Sequence, residues 1–241
     1  MPNLFNKKIL KRRIENYSIE NINEKINKIR NWQKNLGNMK GLNEKRLQSA
    51  FLRAIFEDVL GYKNAPQTNN WTMDIECSTD LDSKTPDGIL GNYKRENGEE
   101  KKDHWAVIEL KGPQIPLEKD QKRKGSTYKS PVDQGFSYTN RLDKCRWVIV
   151  SNFTEIRLYQ VGRSKEHYEI FYLNELDEIE NFKKFYYLFS KENLISKKSK
   201  SQTLELTEAT QKRHEDISVD FYNLYKNLRI NLFCIQGFSC I

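Results

Sequence analysis

The sequence contains few cysteines and histidines, and it lacks any long apolar run. Its four cysteines, Cys77, Cys145, Cys234 and Cys240, show no paired metal-ligand spacing and are too sparse for a disulfide framework. No apolar stretch approaches the length of a membrane span, and the first residues, MPNLFNKKILKRR, lack the apolar core of a signal peptide. We therefore expect a protein of the reducing cytoplasm that has no membrane partner.

The composition favours a folded protein over a disordered one. Hydrophobic residues make up 37% and charged residues 31% of the 241 positions, which is typical of a globular protein with polar connections. A chain of this length holds one sizeable domain, or one domain with an appendage. We detect no internal repeats.

Positive charge is concentrated at the start of the chain. Residues 1–46 contain 12 Lys and Arg against 4 Asp and Glu, which leaves 29 of each sign among the remaining 195 residues. Such a segment is typical of an arm that binds phosphates. The alternative is that its Lys and Asn content reflects an A+T-rich genome and solvated helix faces.

The hydrophobic periodicity predicts an α+β fold with a mixed central sheet flanked by helices. Apolar residues at three- and four-residue steps predict amphipathic helices over 18–36 and 43–62, with Asn43 as a helix cap and Gly61 as a stop. Later segments then follow in the order three strands, helix, strand, strand. The strands are 71–77, 87–93 and 104–111, then the helix is 130–143, and two more strands at 146–152 and 155–161 are followed by the segment HYEIFYL over 167–173.

In the last third of the chain, the hydrophobic pattern predicts helices at 181–194 and 215–233. The polar composition of 196–214 predicts a linker between them. The final residues, CIQGFSCI, do not continue the helical pattern, and we expect a truncated or frameshifted end. The predicted organisation is a basic N-terminal helical arm (1–41), a central domain (42–180) and a helical connector (181–241).

Charged residues interrupt the strand HWAVIELK, where Glu109 and Lys111 share one face while Ile108 and Leu110 share the other. This pattern is by itself typical of a solvated, salt-bridging face. However, a short polar turn joins this strand to the preceding one, so Asp87 is expected on the same side of an antiparallel pair. Two carboxylates and a lysine that converge in this way favour a Mg²⁺-dependent hydrolase.

These residues resemble the PD-(D/E)XK nuclease superfamily, whose signature stands here as Pro86-Asp87 and Glu109-Leu110-Lys111. The resemblance covers about residues 42–162 and implies a restriction-endonuclease-like core of helix, three strands, helix and strand. It implies that Asp87, Glu109 and the backbone of Leu110 bind Mg²⁺, for which Mn²⁺ can substitute. Lys111 would assist the attacking water or stabilise the pentavalent phosphate.

Further residues match the superfamily outside this signature. Gln134 and Tyr138 fit the Gln-x-x-x-Tyr pattern of the exonuclease-like branch, and on a helix they share one face. The resemblance also implies a supporting Glu on the first core helix, for which Glu44 is the candidate and Glu57 the rival. Tyr138 and a basic loop are candidates for DNA contacts, and a solvated charge run is the alternative for the loop. The loop residues are Lys122, Arg123 and Lys124.

More narrowly, the chain resembles the N-terminal endonuclease domain of type IIG restriction enzymes. FEDVLGY, PDGIL, ELKGP, QGFSY and VIVSNFTEIRLY occur in that order, and 215–233 resembles the helical connector that leads to a methyltransferase. The Asn-Pro-Pro-Tyr motif, the glycine-rich S-adenosylmethionine loop and a recognition domain are absent from the sequence. The expected partners are therefore double-stranded DNA, separate methyltransferase and recognition modules, and a second copy for double-strand cleavage.

Two functions follow as expectations from this resemblance. The first is a metal-dependent endonuclease domain of a restriction-modification protein. The alternative is a non-catalytic DNA-binding or interaction module left by truncation of a restriction enzyme. The sequence does not distinguish DNA from RNA as the substrate.

Overall fold

The computed structural model describes residues 3–38, 44–65, 69–75, 85–121, 129–196 and 200–235. Within these ranges the chain forms seven α-helices and six β-strands. The helices are α1 (Lys7–Glu15), α2 (Ile22–Asn38), α3 (Glu44–Phe51), α4 (Pro131–Thr139), α5 (Ile179–Phe189), α6 (Lys191–Leu194) and α7 (Gln202–Ile235). The strands are β1 (Asn70–Ile75), β2 (Gly88–Glu96), β3 (Glu99–Leu110), β4 (Trp147–Ser151), β5 (Glu155–Gln160) and β6 (Tyr168–Tyr172).

The six strands of the described ranges form one mixed sheet in the order β1-β2-β3-β4-β5-β6. All neighbours are antiparallel except β3 and β4, which are parallel. A parallel pair requires a crossover connection, and α4 lies in that crossover. The predicted α+β fold and the order helix, three strands, helix, strand are therefore confirmed.

Both faces of the sheet centre are covered, because the strands alternate their side chains between two apolar clusters. Ile108 and Leu110 of β3 pack into the larger cluster, together with residues of α1, α2, α3 and α5. Val107 packs into a smaller cluster on the α4 face, together with Val148 and Val150 of β4. The end of β3 therefore lies between two packed layers.

Local sequence signals position the two helices nearest the end of β3. Ser130 caps α4, since its hydroxyl accepts a hydrogen bond from the Asp133 N–H at 3.1 Å, and Pro131 occupies the first turn, as predicted. The helix predicted over 43–62 begins as α3 and continues as a π-helical segment, Leu52–Glu57. Asn43, its predicted cap, lies outside the described residues.

The N-terminal segment packs against the main body of the fold. Leu4, Phe5, Leu10 and Ile14 are buried in the larger cluster, which extends along the chain to Leu206. The domain boundaries at residues 41 and 180 stay predictions. No helix in the described ranges is both long and apolar enough to cross a bilayer.

The prediction of a polar linker over 196–214 is wrong, because α7 begins at Gln202 and includes most of that segment. Three threonines of this stretch are buried, although their composition suggested a solvated linker. The Thr203 hydroxyl donates to carbonyl oxygens of Leu188 and Asn193, and the Thr210 hydroxyl accepts from the Asn6 N–H. Hydrogen-bonded hydroxyls allow this polar sequence to pack like a core helix.

Candidate active site

Glu109 and Lys111 lie at the carboxyl end of β3, where both side chains are buried. Glu109 is 1% exposed and Lys111 is 6% exposed, which excludes the solvated strand face that the sequence left open. The Lys111 ammonium donates a hydrogen bond to Glu109 Oε1. The Lys111 backbone N–H donates to the Ser151 carbonyl at 2.9 Å, so β4 holds the end of β3 in place.

Asp87 lies directly across from this pair, at the start of β2. The pairing of β2 with β3 places Gly88 opposite Ile108, so the preceding residue falls opposite Glu109. The Leu110 N–H donates to Asp87 Oδ2 at 2.6 Å. The structure therefore brings together Asp87, Glu109 and Lys111, as the sequence predicted.

Gln48 of α3 is a site residue that the sequence analysis missed. Its Nε2 donates to Asp87 Oδ1 at 3.0 Å and to the Leu110 carbonyl at 3.4 Å. Only acids, Glu44 and Glu57, were predicted as supporting residues on this helix, whereas Gln48 lies one turn after Glu44. Side-chain amides donate and accept equally well at such a site.

The two glutamates proposed as supporting residues occupy different parts of the first core helix. Glu44 is the first residue of α3, and its side chain lies outside the described part of the structure. Glu57 lies at the end of the π-helical segment, and burial raises the pKa of its carboxyl group. The choice between them stays open.

The helix α4 packs over the Glu109 side of β3. A Cβ atom at Gly135 would lie 2.8 Å from Val148 Cγ1 and 3.7 Å from Glu109 Cβ, so only glycine permits this close approach. The neighbouring Gln134 donates from Nε2 to the Tyr138 hydroxyl at 3.0 Å. Tyr138 is 3% exposed, so its buried ring orients Gln134, and its direct contact with DNA stays a prediction.

The basic loop predicted to contact DNA lies outside the described residues. Lys122, Arg123 and Lys124 fall between the described ranges 85–121 and 129–196. Their contact with DNA stays a prediction.

The donor set at the end of β3 fits a hard divalent cation. Asp87 and Glu109 offer carboxylate oxygens, and Leu110 offers a carbonyl oxygen beside them, which are the ligand types that Mg²⁺ prefers. Among the described residues, no three His, Cys, Asp or Glu side chains come together as a metal site. A cation here would therefore need ligands of other types as well.

A second buried charge cluster lies on β5, and the sequence analysis did not predict it. The Arg157 guanidinium donates to both carboxylate oxygens of Glu155 and to Glu118 Oε1, and it lies 4.9 Å from the Tyr168 ring centre. Burial alone lowers the pKa of Arg157, but its hydrogen bonds to Tyr159 and Glu118 raise it overall. The same guanidinium holds the pKa of Glu118 below its ordinary value.

Comparison with known proteins identifies the family. The family model described as "MmeI, N-terminal domain" matches residues 20–220. Searches of curated proteins and of solved structures find no match. The match covers most of the chain and confirms the resemblance to the N-terminal, endonuclease-like domain of type IIG enzymes. The chain therefore belongs to the family of the N-terminal domain of MmeI, a type IIG restriction enzyme.

Proposed function

We propose that this chain is the DNA endonuclease domain of a type IIG-like restriction-modification protein, and that it hydrolyses phosphodiester bonds in the cytoplasm with Mg²⁺. One observation carries the proposal: the Asp87 carboxylate is bonded to the backbone of Leu110, between the buried Glu109 and Lys111. Buried charges of both signs at a strand end are costly, and they cluster at functional sites.

Asp87, Glu109 and the Leu110 carbonyl would hold the cation, and Mn²⁺ would substitute for Mg²⁺ because it prefers the same ligands. When bound, the cation would polarise the scissile phosphate and lower the pKa of a water molecule. The Leu110 N–H and the Gln48 amide fix the orientation of the Asp87 carboxylate, so this ligand is preorganised.

Lys111 would act directly on the substrate. In the free protein its ammonium is paired with Glu109. When Glu109 takes part in cation binding, the same ammonium is available to a phosphate oxygen, where it stabilises the negative charge of the pentavalent phosphate or orients the attacking water. The Gln134 amide, adjacent to the close contact between Gly135 and Glu109, supplies a further hydrogen-bond donor.

The helix α1 would bind the DNA backbone outside the site. It exposes five basic side chains over nine residues, while its buried Leu10 and Ile14 fix it on the core. Two of the basic residues, Lys7 and Lys8, lie in the first turn, where the helix dipole disfavours positive charge. Phosphates would relieve that cost by neutralising the exposed charges.

Plasmid cleavage tests the catalytic proposal. We expect the purified chain to nick or linearise supercoiled plasmid with Mg²⁺ or Mn²⁺, and EDTA or Lys111→Ala to abolish this activity. Lys94→Ala, which removes an exposed lysine paired with Glu96, is the control and should cleave like the wild type. Absence of cleavage with either metal, or cleavage that survives Lys111→Ala, would favour the non-catalytic module.

DNA binding is tested separately by fluorescence anisotropy with a labelled duplex and EDTA present. We expect Lys8→Gln/Arg12→Gln to weaken binding and to reduce its salt dependence by about two counterions. A matched pair on the β2–β3 hairpin, Lys94→Gln/Lys101→Gln, removes the same charge outside α1 and should have little effect, because both lysines are paired with the Glu96 carboxylate. A single-stranded RNA of equal length, added as competitor, should compete less well than the duplex.

Methyltransferase and recognition modules remain proposed partners, as does a second copy of the chain. Double-strand cleavage requires two sites on opposite strands, so linear product should rise more steeply than nicked product with protein concentration. Equal dependence of both products on concentration would argue against pairing of two copies.

A further inference from the structure

Gln48 places its amide nitrogen between two oxygen atoms of the candidate metal centre. One is Oδ1 of Asp87, at 3.0 Å, and the other is the carbonyl oxygen of Leu110, at 3.4 Å. Two oxygen acceptors that converge on one N–H₂ group are also placed to bind a cation at the same position. The amide N–H₂ group therefore occupies a position that favours positive charge.

The same carboxylate is held from its other side. Oδ2 of Asp87 accepts the Leu110 N–H at 2.6 Å, so the carboxylate is fixed while its Oδ1 faces Gln48. Gln48 comes from α3, and this helix is anchored by its buried Leu47 and Phe51. The contact thus joins the first core helix to the strand end where Glu109 and Lys111 lie.

A glutamine differs from a simple donor because the other end of its amide is a carbonyl oxygen. Rotation of the amide by half a turn exchanges Nε2 for Oε1 without moving the rest of the side chain. The oxygen is a hard, neutral ligand of the kind that Mg²⁺ and Mn²⁺ accept. It would also add a ligand at a place where the described His, Cys, Asp and Glu side chains supply fewer than three.

We propose that Gln48 is a ligand of the catalytic cation. In the metal-free protein its Nε2 bonds to Asp87 and Leu110, and with the cation present its amide turns so that Oε1 faces the metal. This inference rests on the proposed function, because it assumes that the cation binds at Asp87. It assigns to α3 a direct role in the site, one turn after Glu44.

Binding of Mn²⁺ alone, followed by the electron paramagnetic resonance signal of the free ion, tests the proposal without DNA or cleavage. Gln48→Met has a similar length and offers no oxygen, so we expect it to bind Mn²⁺ about tenfold more weakly than the wild type. Gln48→Glu offers a charged oxygen, so we expect it to bind Mn²⁺ about tenfold more tightly. Circular dichroism and thermal unfolding confirm that each variant is folded.

The Gln48→Glu variant distinguishes a role of Gln48 as a cation ligand from a role as a hydrogen-bond donor to Asp87. Without metal, a glutamate beside Asp87 should lower the melting temperature, and Mn²⁺ should raise it more than in the wild type. If Gln48 acts only as a donor to Asp87, Gln48→Glu loses that bond and binds Mn²⁺ as weakly as Gln48→Met. That result would overturn the proposal.

Asp87→Ala distinguishes this inference from the proposed function itself. If Asp87→Ala abolishes Mn²⁺ binding while both Gln48 variants bind like the wild type, the metal centre stands and the role of Gln48 is wrong. If the wild type binds no Mn²⁺, or Asp87→Ala binds it unchanged, the metal centre itself is wrong, and the assignment of Gln48 fails with it.

Discussion

Two strands on either side of β4 contain the same pattern, a glutamate followed two residues later by a base. Glu109 and Lys111 stand on β3, and Glu155 and Arg157 stand on β5. The strand register places Val150 of β4 between Glu109 and Arg157, so the two patterns lie on one face of the sheet, separated by one strand. All four side chains are buried.

The partners of the two pairs differ. Arg157 is surrounded by oxygens of Glu155 and Glu118 and by the Tyr168 ring, so its donors are directed at protein groups and the cluster is closed. The β3 pair instead adjoins a second carboxylate, Asp87, and the adjustable amide of Gln48. A Glu-x-base pattern on a strand therefore indicates no function until its neighbours are known. We propose that the pair on β5 stabilises the fold and that the pair on β3 takes part in catalysis.

The largest expected effect is on catalysis. Asp87→Asn retains an acceptor for the Leu110 N–H but loses the charge that a cation needs, so cleavage should fall by about 10³-fold. Plasmid nicking rates measure this. Asp103→Asn is the matched control, because Asp103 is also half-buried on the same hairpin and accepts from the Trp105 indole N–H. Equal losses in both variants would show that the effect is structural.

The next effect is on stability at β5. Arg157→Ala leaves Glu155 buried without its partner, and the free energy of unfolding should fall by about 3–5 kcal/mol. Urea unfolding followed by circular dichroism measures this. Arg157→Lys, which keeps the charge and loses the bidentate contact, should lose less. A loss below about 1 kcal/mol for Arg157→Ala would contradict a structural role for this cluster.

A smaller effect concerns the packing of α4 over the face of the sheet that contains the candidate active site. Gly135→Ala brings a methyl group to 2.8 Å from Val148 Cγ1, and we expect a loss of about 1–3 kcal/mol together with slower cleavage as Gln134 shifts. The double variant Gly135→Ala/Val148→Ala provides the space and should recover part of both losses. Strictly additive losses would show that the two residues do not clash.

The smallest expected effect concerns Glu169, a carboxylate on β6 with no base two residues later. Burial raises its pKa, although the N–H groups of Phe5 and Leu4 oppose this shift. The folded state therefore favours the protonated form, and stability falls as the pH rises from the unfolded pKa through the raised folded pKa.

Glu169→Gln keeps an acceptor for Phe5 and removes the charge. Above the folded pKa of Glu169 the variant should be more stable than the wild type by about 0.5 kcal/mol. Below the pKa of the unfolded state the difference should vanish. Thermal unfolding from about pH 3 to about pH 8 measures this, because the range begins below the ordinary Glu pKa of about 4.3. A variant that is less stable at neutral pH would show that the charged form is favoured.

Much of the fold and of the candidate site could be predicted from the sequence, because strand alternation and helical periodicity are local patterns. The order of helices and strands around β3, the cap at Ser130 and the approach of Asp87 to Glu109 all followed from short-range patterns. The closed cluster on β5 did not, since Glu118 is distant from Arg157 in the chain. Gln48 was missed because only acids were named on the first core helix. The first part of α7 was missed because its threonines resemble those of a linker, whereas the helix predicted over 215–233 lies within α7.

One matched pair of variants tests the central claim most directly, namely the assignment of chemistry to β3 and of stability to β5. Glu109→Gln and Glu155→Gln are the same change at equivalent positions, and cleavage per folded molecule should be measured with Mg²⁺ under conditions where both are folded. We predict a loss of about 10²–10³-fold for Glu109→Gln and a change of less than about threefold for Glu155→Gln. Equal rates in the two variants, whether both high or both low, would contradict the account.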